Sequence, residues 1–187
     1  MRRFVAAVLS LALTACAATV PRPQAPPIPV VIASAWSWQG RISVKSGEQA
    51  FSGQLQWQHD PAGDTLMLAS PLGQGVAKIV RNSSGVVLDL PGEAPRQAPT
   101  VEALTADALG YVLPAAGLAY WVQAQADPSS PFEATRDDLG RPARISQEGW
   151  SIEYLQYQAD NPNQPRRLTL TRDGLEIRLV TDSWQTE

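Results

Sequence analysis

Two stretches of regular alternation between apolar and polar residues stand out in the N-terminal half of the chain. In residues 36–44, and again in residues 51–57, an apolar residue or glycine occupies every second position, with serine, glutamine or arginine between them. A period of two places alternate side chains on opposite faces of a β-strand. Gly47-Glu48 lies between the two stretches and is typical of a turn. The pattern predicts an antiparallel hairpin of two half-buried strands.

Seven further segments have the composition of strands and are separated by turn signals. We expect strands at residues 65–69, 76–81, 86–90, 143–147, 150–158, 167–172 and 175–181. Asp173-Gly174 is typical of a tight hairpin turn, and Glu148-Gly149 is a similar signal. Connections this short favour antiparallel neighbours, and a sheet with one apolar face has to curl or be covered.

The middle of the chain has a helical period instead. Pro99-Thr100 resembles a helix start, and apolar residues recur from Val101 to Tyr111 at helical spacing. A second short helix is expected at residues 114–123, with Leu118 and Trp121 on an apolar face that should pack on the sheet. We therefore predict a mainly β fold of the α+β class: a curved antiparallel sheet capped by two or three helices, an architecture that often encloses a cavity.

The residues before the first strand have the order of a bacterial lipoprotein precursor. Arg2-Arg3 precede the apolar residues 4–12, and Leu-Thr-Ala-Cys at residues 13–16 resembles the lipobox of such precursors. About a dozen apolar residues at 1.5 Å each are too short for the roughly 30 Å hydrocarbon core, which favours a signal peptide over a transmembrane helix. We expect cleavage after residues 1–15, and acylation of Cys16 that holds the protein on a membrane.

A proline-rich segment follows the cysteine. Residues 16–35 have no periodic apolar face, which is typical of an extended tether. At about 3 Å per residue in polyproline geometry, it could place the domain up to roughly 60 Å from the lipid. The folded domain is then expected at residues 36–187. Ala17 stands where lipoproteins of the inner membrane carry aspartate, and so resembles the pattern of those sorted to the outer membrane.

Composition and charge narrow the classes of function. Without Arg2-Arg3 the chain has 13 basic and 18 acidic residues, a net charge near −5, and no basic cluster, so nucleic acid is not an expected partner. A single cysteine excludes an internal disulfide and any multi-cysteine metal site. His59 is the only histidine and has no catalytic motif around it, and Asp137-Asp138 is interpreted as part of a turn. We therefore do not expect the protein to be an enzyme, and we expect no catalytic residues, no metal site and no cofactor.

Six tryptophans and one unusual turn remain as candidates for function. Most of the tryptophans lie on predicted inward faces, where they could fill a core or line a hollow. In the turn at residues 70–75, Leu72 stands between Pro71 and Gly73, although turn tips are normally polar. Its side chain could project towards a membrane or partner, or fold back onto the sheet. The residues alone leave both questions open.

Several segments, taken in order, resemble the LolB family of outer-membrane lipoproteins. They are residues 38–44 (WQGRISV), 51–57 (FSGQLQW), 68–73 (LASPLG), 113–122, 140–150, 154–157, 165–168 and the closing Trp184. Together they span essentially the whole chain after the tether. The resemblance implies an unclosed antiparallel half-barrel of the LolA and LolB type, with a helical lid over a hydrophobic cavity.

The resemblance also implies a function and its residues. Members of the family accept lipoproteins from the periplasmic carrier LolA, hold their acyl chains in the cavity, and insert them into the inner leaflet of the outer membrane without nucleotide hydrolysis. The family's protruding leucine matches Leu72, so Pro71, Leu72 and Gly73 form the predicted membrane-insertion loop. A monomer is expected. The acyl-cavity candidates are Trp38, Leu55, Trp57, Leu68, Trp121, Trp150 and Tyr154.

The competing interpretation is an anchored binding module for lipids or small hydrophobic molecules, or an envelope assembly scaffold. Such a protein would share the cavity and the anchor. A scavenger would not need an exposed leucine at Leu72, and a scaffold would not take cargo from a loaded carrier.

Overall fold

The computed structural model describes residues 32–109 and 112–186. The predicted signal peptide, Cys16 and all but the last residues of the tether lie outside this part of the chain, as does Tyr111. The described residues contain eleven strands and two helices. Their bounds are β1 (Trp36–Ser46), β2 (Gln49–Asp60), β3 (Gly63–Ala69), β4 (Gly75–Asn82), β5 (Gly85–Asp89), β6 (Arg96–Ala98), α1 (Val101–Leu109), α2 (Ala115–Trp121), β7 (Phe132–Arg136), β8 (Pro142–Gln147), β9 (Trp150–Tyr157), β10 (Pro165–Arg172) and β11 (Leu175–Thr186).

All eleven strands form one antiparallel sheet that does not close. The strand order is β6-β5-β4-β3-β2-β1-β11-β10-β9-β8-β7, so β1 pairs with both β2 and β11 at the centre, and β6 and β7 are the outer strands. The two helices lie in the chain between these outer strands. The helical segment therefore runs from one side of the sheet to the other, as expected for a lid. The predicted mainly β, unclosed fold with helices is confirmed.

The predicted strands and turns are found close to their expected bounds, and the structure contains two further strands, β6 and β7. Glu148-Gly149 and Asp173-Gly174 have positive φ at both residues, which is the geometry of a type I′ hairpin turn. The sequence did not predict β6 and β7. Every side chain of β7 is exposed and β6 has only three residues, so neither strand shows the alternation that reveals a half-buried strand.

The core lies on the inner face of the sheet and is rich in tryptophan. Trp38 of β1 is opposite Trp57 of β2 on one side and Trp184 of β11 on the other. Next to this row, a side chain at Gly40 would place its Cβ 2.6 Å from the Trp38 ring and against the backbone carbonyl of Val180. The central strand therefore needs glycine at this β-bulge so that the indole can lie flat on the sheet.

The strand ends form two rims, one at each end of the sheet. The N-terminal rim contains the start of β1, the end of β11, the β2–β3, β4–β5 and β7–β8 turns, and the β9–β10 loop. The far rim contains the β1–β2, β3–β4, β5–β6, β8–β9 and β10–β11 turns. Within the described residues, neither α1 nor α2 has the length and apolar character needed to cross a membrane.

Candidate functional site

Helix α2 is fastened to the β8–β9 side of the sheet through one tryptophan. Trp121 is fully buried, and its ring centroid lies 6.2 Å from that of Trp150 in β9. The Tyr154 hydroxyl donates a hydrogen bond of 3.0 Å to the Trp121 carbonyl oxygen. Burial also raises the pKa of Tyr154 well above its ordinary value, so this hydroxyl keeps its proton.

A buried glutamine holds the chain that leaves α2. The Gln147 side chain is 3% exposed, and its Oε1 accepts hydrogen bonds of 2.9 Å from the Trp121 indole N–H and the Asp127 backbone N–H. Its Nε2 donates to the backbone carbonyls of Asp127 (2.7 Å) and Ser130 (3.0 Å). One side chain therefore satisfies one polar group of α2 and three of the segment that joins α2 to β7.

Helix α1 packs on the opposite side, against β5 and β6, with Val101 and Leu104 buried. Its start is capped by Thr100, whose Oγ1 accepts a hydrogen bond of 3.1 Å from the Ala103 backbone N–H. Glu102 joins the two helices by accepting a hydrogen bond of 3.2 Å from the α2 backbone. The lid thus bridges both halves of an unclosed sheet.

A cavity of about 620 Å³ lies between this lid and the N-terminal rim. Small apolar residues of α2 line one side, and polar groups of β2, β3 and β4 line the other. Its lining includes Ile32, Ala33, Ser34, His59, Pro61, Asp64, Arg81, Val101, Glu102, Ala115, Ala116, Ala119, Tyr120 and Gln123. The volume lies in the range of ordinary ligand pockets, roughly 300–1,000 Å³.

The start of the described chain also contacts the lid at this cavity. The Ala33 backbone N–H donates a hydrogen bond of 2.9 Å to Oε1 of Gln123, just beyond α2. The last residues of the predicted tether therefore pack on the folded domain instead of standing free of it.

The polar wall of the cavity is built around a buried carboxylate. Asp64 accepts hydrogen bonds from the Trp57 indole (2.9 Å), from His59 Nδ1 (2.6 Å) and from the Arg81 guanidinium. Burial opposes ionisation of Asp64, but the hydrogen bonds from these three residues outweigh it, so the pKa of the carboxyl lies below its ordinary value. A carboxylate only accepts, so His59 Nδ1 carries the proton.

A cluster of aromatic rings packs behind this polar wall of the cavity. The Trp36 ring stacks between those of His59, 4.9 Å away, and Trp184, 4.6 Å away, and meets Trp57 edge-on at 4.8 Å. His59 therefore has packing and hydrogen-bonding partners that fix it in the fold. Among the described residues, no three histidine, aspartate or glutamate side chains are grouped closely enough to hold a metal ion.

The seven acyl-cavity candidates do not line the 620 Å³ cavity. Six of them are buried in the core, where Trp121 of the lid meets the inner face of the sheet, and Leu68 is half-buried: Trp38, Leu55, Trp57, Leu68, Trp121, Trp150 and Tyr154. With the lid in this position the tryptophans fill a core. Contact between these residues and acyl chains requires movement of the helices, and it stays a prediction.

The cavity lining and the role of Gln147 were not predicted from the sequence. The lining residues come from distant segments of the chain, each unremarkable alone. Gln147 lies at the end of a strand, beside a turn, where a polar residue is ordinary. Only its burial distinguishes it.

Leu72 is at the tip of the β3–β4 turn on the far rim, and its side chain is 89% exposed. The Gly73 N–H donates to the Ser70 carbonyl oxygen (2.9 Å), the Ser70 N–H donates to the Gln74 carbonyl oxygen (2.8 Å), and Gly73 has φ of +84°. This is a three-residue hairpin loop closed by a glycine in the left-handed region. The turn holds Leu72 away from the sheet, and its functional role stays a prediction.

Comparison with solved structures defines the class of fold. The chain is similar to the crystal structure of a LolA superfamily protein from Nitrosomonas europaea, with a TM-score of 0.51 over 86% of this chain and 88% of that one. Sequence identity in that comparison is 9%, so the likeness concerns the fold alone. The chain therefore shares the fold class of that protein, here an unclosed antiparallel sheet covered by two helices.

Comparison of sequences then gives the family. The family model described as Outer membrane lipoprotein LolB matches residues 34–184. A Thiobacillus denitrificans protein named Outer-membrane lipoprotein LolB is 54% identical over 187 residues, which are 100% of this chain and 99% of the relative. A protein of the same name from Azoarcus is 36% identical over 98% of this chain and 96% of its own length. The chain belongs to the LolB family, and the resemblance seen in the sequence is confirmed.

Proposed function

We propose that this chain is an outer-membrane lipoprotein that receives lipoproteins from the periplasmic carrier LolA. In this proposal it holds the acyl chains of the cargo between lid and sheet, and inserts them into the inner leaflet of the outer membrane without nucleotide hydrolysis or any catalytic step. Membership of the LolB family and the open, lidded half-barrel support it.

The observation that carries the proposal is a lid on a sheet that does not close. Helices α1 and α2 cover the apolar inner face and are attached to opposite halves of the sheet. Because β6 and β7 do not pair with each other, the helices can move without breaking a strand ladder. An acyl chain of about fifteen methylenes costs on the order of 12 kcal/mol to expose to water, so its carrier must offer such a face.

The membrane attachment in this proposal comes from the N-terminal residues. Residues 1–15 are removed, Cys16 carries the acyl groups, and residues 16–35 connect the anchor to the domain at residues 36–187, which faces the periplasm. More than one acyl chain on Cys16 gives stable anchoring where a single chain would be marginal.

Transfer in one direction without an energy source requires only that each successive site binds the acyl chains more tightly. If each successive site holds the acyl chains about 1.4 kcal/mol more tightly, transfer is biased tenfold at each step. We propose that the core beneath the lid supplies the tighter site and that the exposed Leu72 perturbs the bilayer when cargo leaves.

The test is a transfer between purified proteins. The unlipidated protein, made by Cys16→Ala without residues 1–15, is mixed with LolA loaded with a lipoprotein, and the two are separated to ask which one holds the cargo. We expect the cargo to move to this chain, and an excess of fatty-acid-like detergent to prevent the movement. Cargo that stays on the carrier at every ratio would leave the anchored binding module or scaffold as the better interpretation.

A pair of matched variants separates the cavity from the rest of the lid. Ala115 of α2 lines the cavity, whereas Ala103 of α1 is exposed and does not. Ala115→Trp fills the space between lid and sheet and should reduce the amount of cargo received. Ala103→Trp adds the same side chain to the outside of the lid and should leave transfer unchanged.

A further inference from the structure

A second turn repeats the geometry of the Leu72 turn. In the β7–β8 turn the Gly140 N–H donates to the Asp137 carbonyl oxygen (2.9 Å), and the Asp137 N–H donates to the Arg141 carbonyl oxygen (2.8 Å). Gly140 has φ of +77°. Leu139 therefore occupies the same place in this loop as Leu72 does in its own, and its side chain is 59% exposed.

The second turn is held rigidly. The Asp137 carboxylate accepts hydrogen bonds from the backbone N–H of Leu139 (3.0 Å) and Arg141 (2.9 Å) and from the Arg141 guanidinium (2.8 Å). Arg141 also donates a hydrogen bond of 3.1 Å to the Pro162 carbonyl oxygen in the β9–β10 loop. The leucine at the tip is fixed outward by polar contacts that join two neighbouring loops.

More exposed apolar surface lies at the same corner of the sheet. Leu155 in β9 is 64% exposed. It comes two residues after Glu153, which pairs with Arg144 of β8, so Leu155 lies at the end of β9 that is nearest to the Leu139 turn. We call this region the leucine corner: the end of β7 with the β7–β8 turn, the end of β9 with the β9–β10 loop, and the start of β10. Isolated exposed leucines are common, whereas these two lie at one corner, and one of them is on a turn tip that is closed by hydrogen bonds.

The charges of the leucine corner suit a phosphate-bearing surface. Arg136, Arg166 and Arg167 are exposed, and no carboxylate of the described residues lies within ion-pair distance of them. Two carboxylates, Asp138 and Asp160, lie in the same loops, so the local balance is only slightly positive. Leucines beside arginines are typical of surfaces that rest in the interface of a bilayer.

The position of the leucine corner points to the same partner. Trp36 pairs with Thr186, and along the N-terminal rim the start of β10, the end of β9 and the start of β8 follow in order. The chain that leads back to Cys16 therefore leaves the domain from the rim that carries Leu139. The Leu72 turn is on the far rim.

We propose that the leucine corner rests on the bilayer that carries the lipid anchor, with Leu139 and Leu155 in the interface and the arginines on the phosphates. The inference rests on the acylation of Cys16 in the proposed function, but it does not require transfer of cargo. It assigns the two leucine turns to different tasks, since one faces the anchoring membrane at rest and the other is free on the far rim.

The first test measures contact directly. Acylation consumes the thiol of Cys16, so Leu139→Cys or Leu155→Cys gives a single reactive thiol for an environment-sensitive fluorophore in the lipidated protein. The protein is placed in phosphatidylethanolamine–phosphatidylglycerol vesicles with brominated acyl chains. We expect a blue shift and quenching at both positions, and neither at Ser84→Cys, which is the polar tip of the β4–β5 turn on the same rim. Labels at 139 and 155 that are quenched no more than the label at 84 would overturn the proposal.

The second test leaves the surface unlabelled and includes the competing partner. We expect the unlipidated Leu139→Asn/Leu155→Ser protein to bind the same vesicles about tenfold more weakly, whereas Met67→Ser, an exposed apolar side chain of the outer face, binds as the parent does. Transfer from loaded LolA is measured separately without vesicles. If the double variant bound vesicles as the parent does but received cargo from LolA more slowly, the leucine corner would contact the carrier, and the membrane contact would be refuted. If the parent protein itself received no cargo, only the proposed function would be refuted.

Discussion

Trp121 and Leu72 are large apolar residues in opposite situations. Trp121 is fully buried in the lid, with its ring against Trp150 and its N–H bonded to Gln147, whereas Leu72 is 89% exposed on a turn that holds it away from the sheet. The first stabilises the domain by contacts that any substitution would break. The second makes few contacts within the domain, so it contributes almost nothing to stability, and its exposure is consistent with the proposed contact with a membrane. The comparison separates a residue that holds the lid from one that we propose acts outside the domain.

The largest effect is expected from Trp121→Ala. Removal of a fully buried tryptophan typically costs about 3–5 kcal/mol, and here it also leaves Gln147 Oε1 without one of its donors. Urea unfolding should show a loss of about 4 kcal/mol in the free energy of unfolding. Trp184→Ala, at a half-buried tryptophan, is the control and should cost clearly less. A loss at Trp121 that is no larger than the loss at Trp184 would contradict the prediction.

A smaller loss is expected from Gln147→Leu, which keeps the volume of the side chain but not its hydrogen bonds. The Trp121 indole N–H and the Asp127 backbone N–H would be left without their acceptor in a buried site. Such unsatisfied groups cost about 1–3 kcal/mol, so we expect a loss near 3 kcal/mol. Gln56→Leu, at an exposed position of the outer face, should change stability by less than about 0.5 kcal/mol.

Hydrogen exchange checks the same variant locally. In Gln147→Leu, amides of α2 and of the segment that follows it should lose protection, whereas those of β1 and β2 should lose only what the change in global stability explains. Uniform loss over the whole sheet would contradict a local role for Gln147 in holding the lid.

Asp64 should make stability depend on pH. Its pKa is lower in the folded protein than in the unfolded chain, so its contribution is present above about pH 4 and is lost as the pH falls through the folded value. We expect Asp64→Asn to cost about 2 kcal/mol at pH 7, where three donors lose a charged acceptor. The difference from the parent should shrink below pH 4. Asp89→Asn, at an exposed carboxylate of β5, is the control at pH 7 and should change stability by less than about 0.5 kcal/mol. A difference between Asp64→Asn and the parent that grows as the pH falls would contradict the assignment.

The sequence predicts a strand where one face of that strand is buried. The alternation in β1 and β2 revealed both strands because one face of each is packed against the core. β7 was missed because all of its side chains are exposed, so its pairing with β8 leaves no pattern in the sequence. Leu72 was recognisable as an apolar residue at a turn tip, but its direction depends on the hydrogen bonds that close the loop. The cavity wall at Asp64 and Arg81 depends on register between strands, which no local pattern contains.

The smallest effect on stability, and the largest expected on release, belongs to Leu72→Glu. The substitution exchanges one exposed side chain for another on the same turn, so the free energy of unfolding should change by less than about 0.5 kcal/mol. Receipt of cargo from LolA should also continue, because the turn lies on the far rim, away from the cavity. Incorporation of the received lipoprotein into liposomes should fall at least tenfold, since a carboxylate cannot enter the apolar part of a bilayer without a high desolvation cost.

Ser83→Glu adds the same charge to an exposed hairpin tip on the N-terminal rim and should leave incorporation unchanged, which separates loss of the leucine from a general effect of charge. If Leu72→Glu supported full incorporation, the proposed release role would be wrong, and the exposed leucine would need another partner. If receipt failed as well, Leu72 would act in contact with the carrier, before the cargo reaches the membrane. Loss confined to the liposome step is therefore the outcome that assigns the far rim to the bilayer during release.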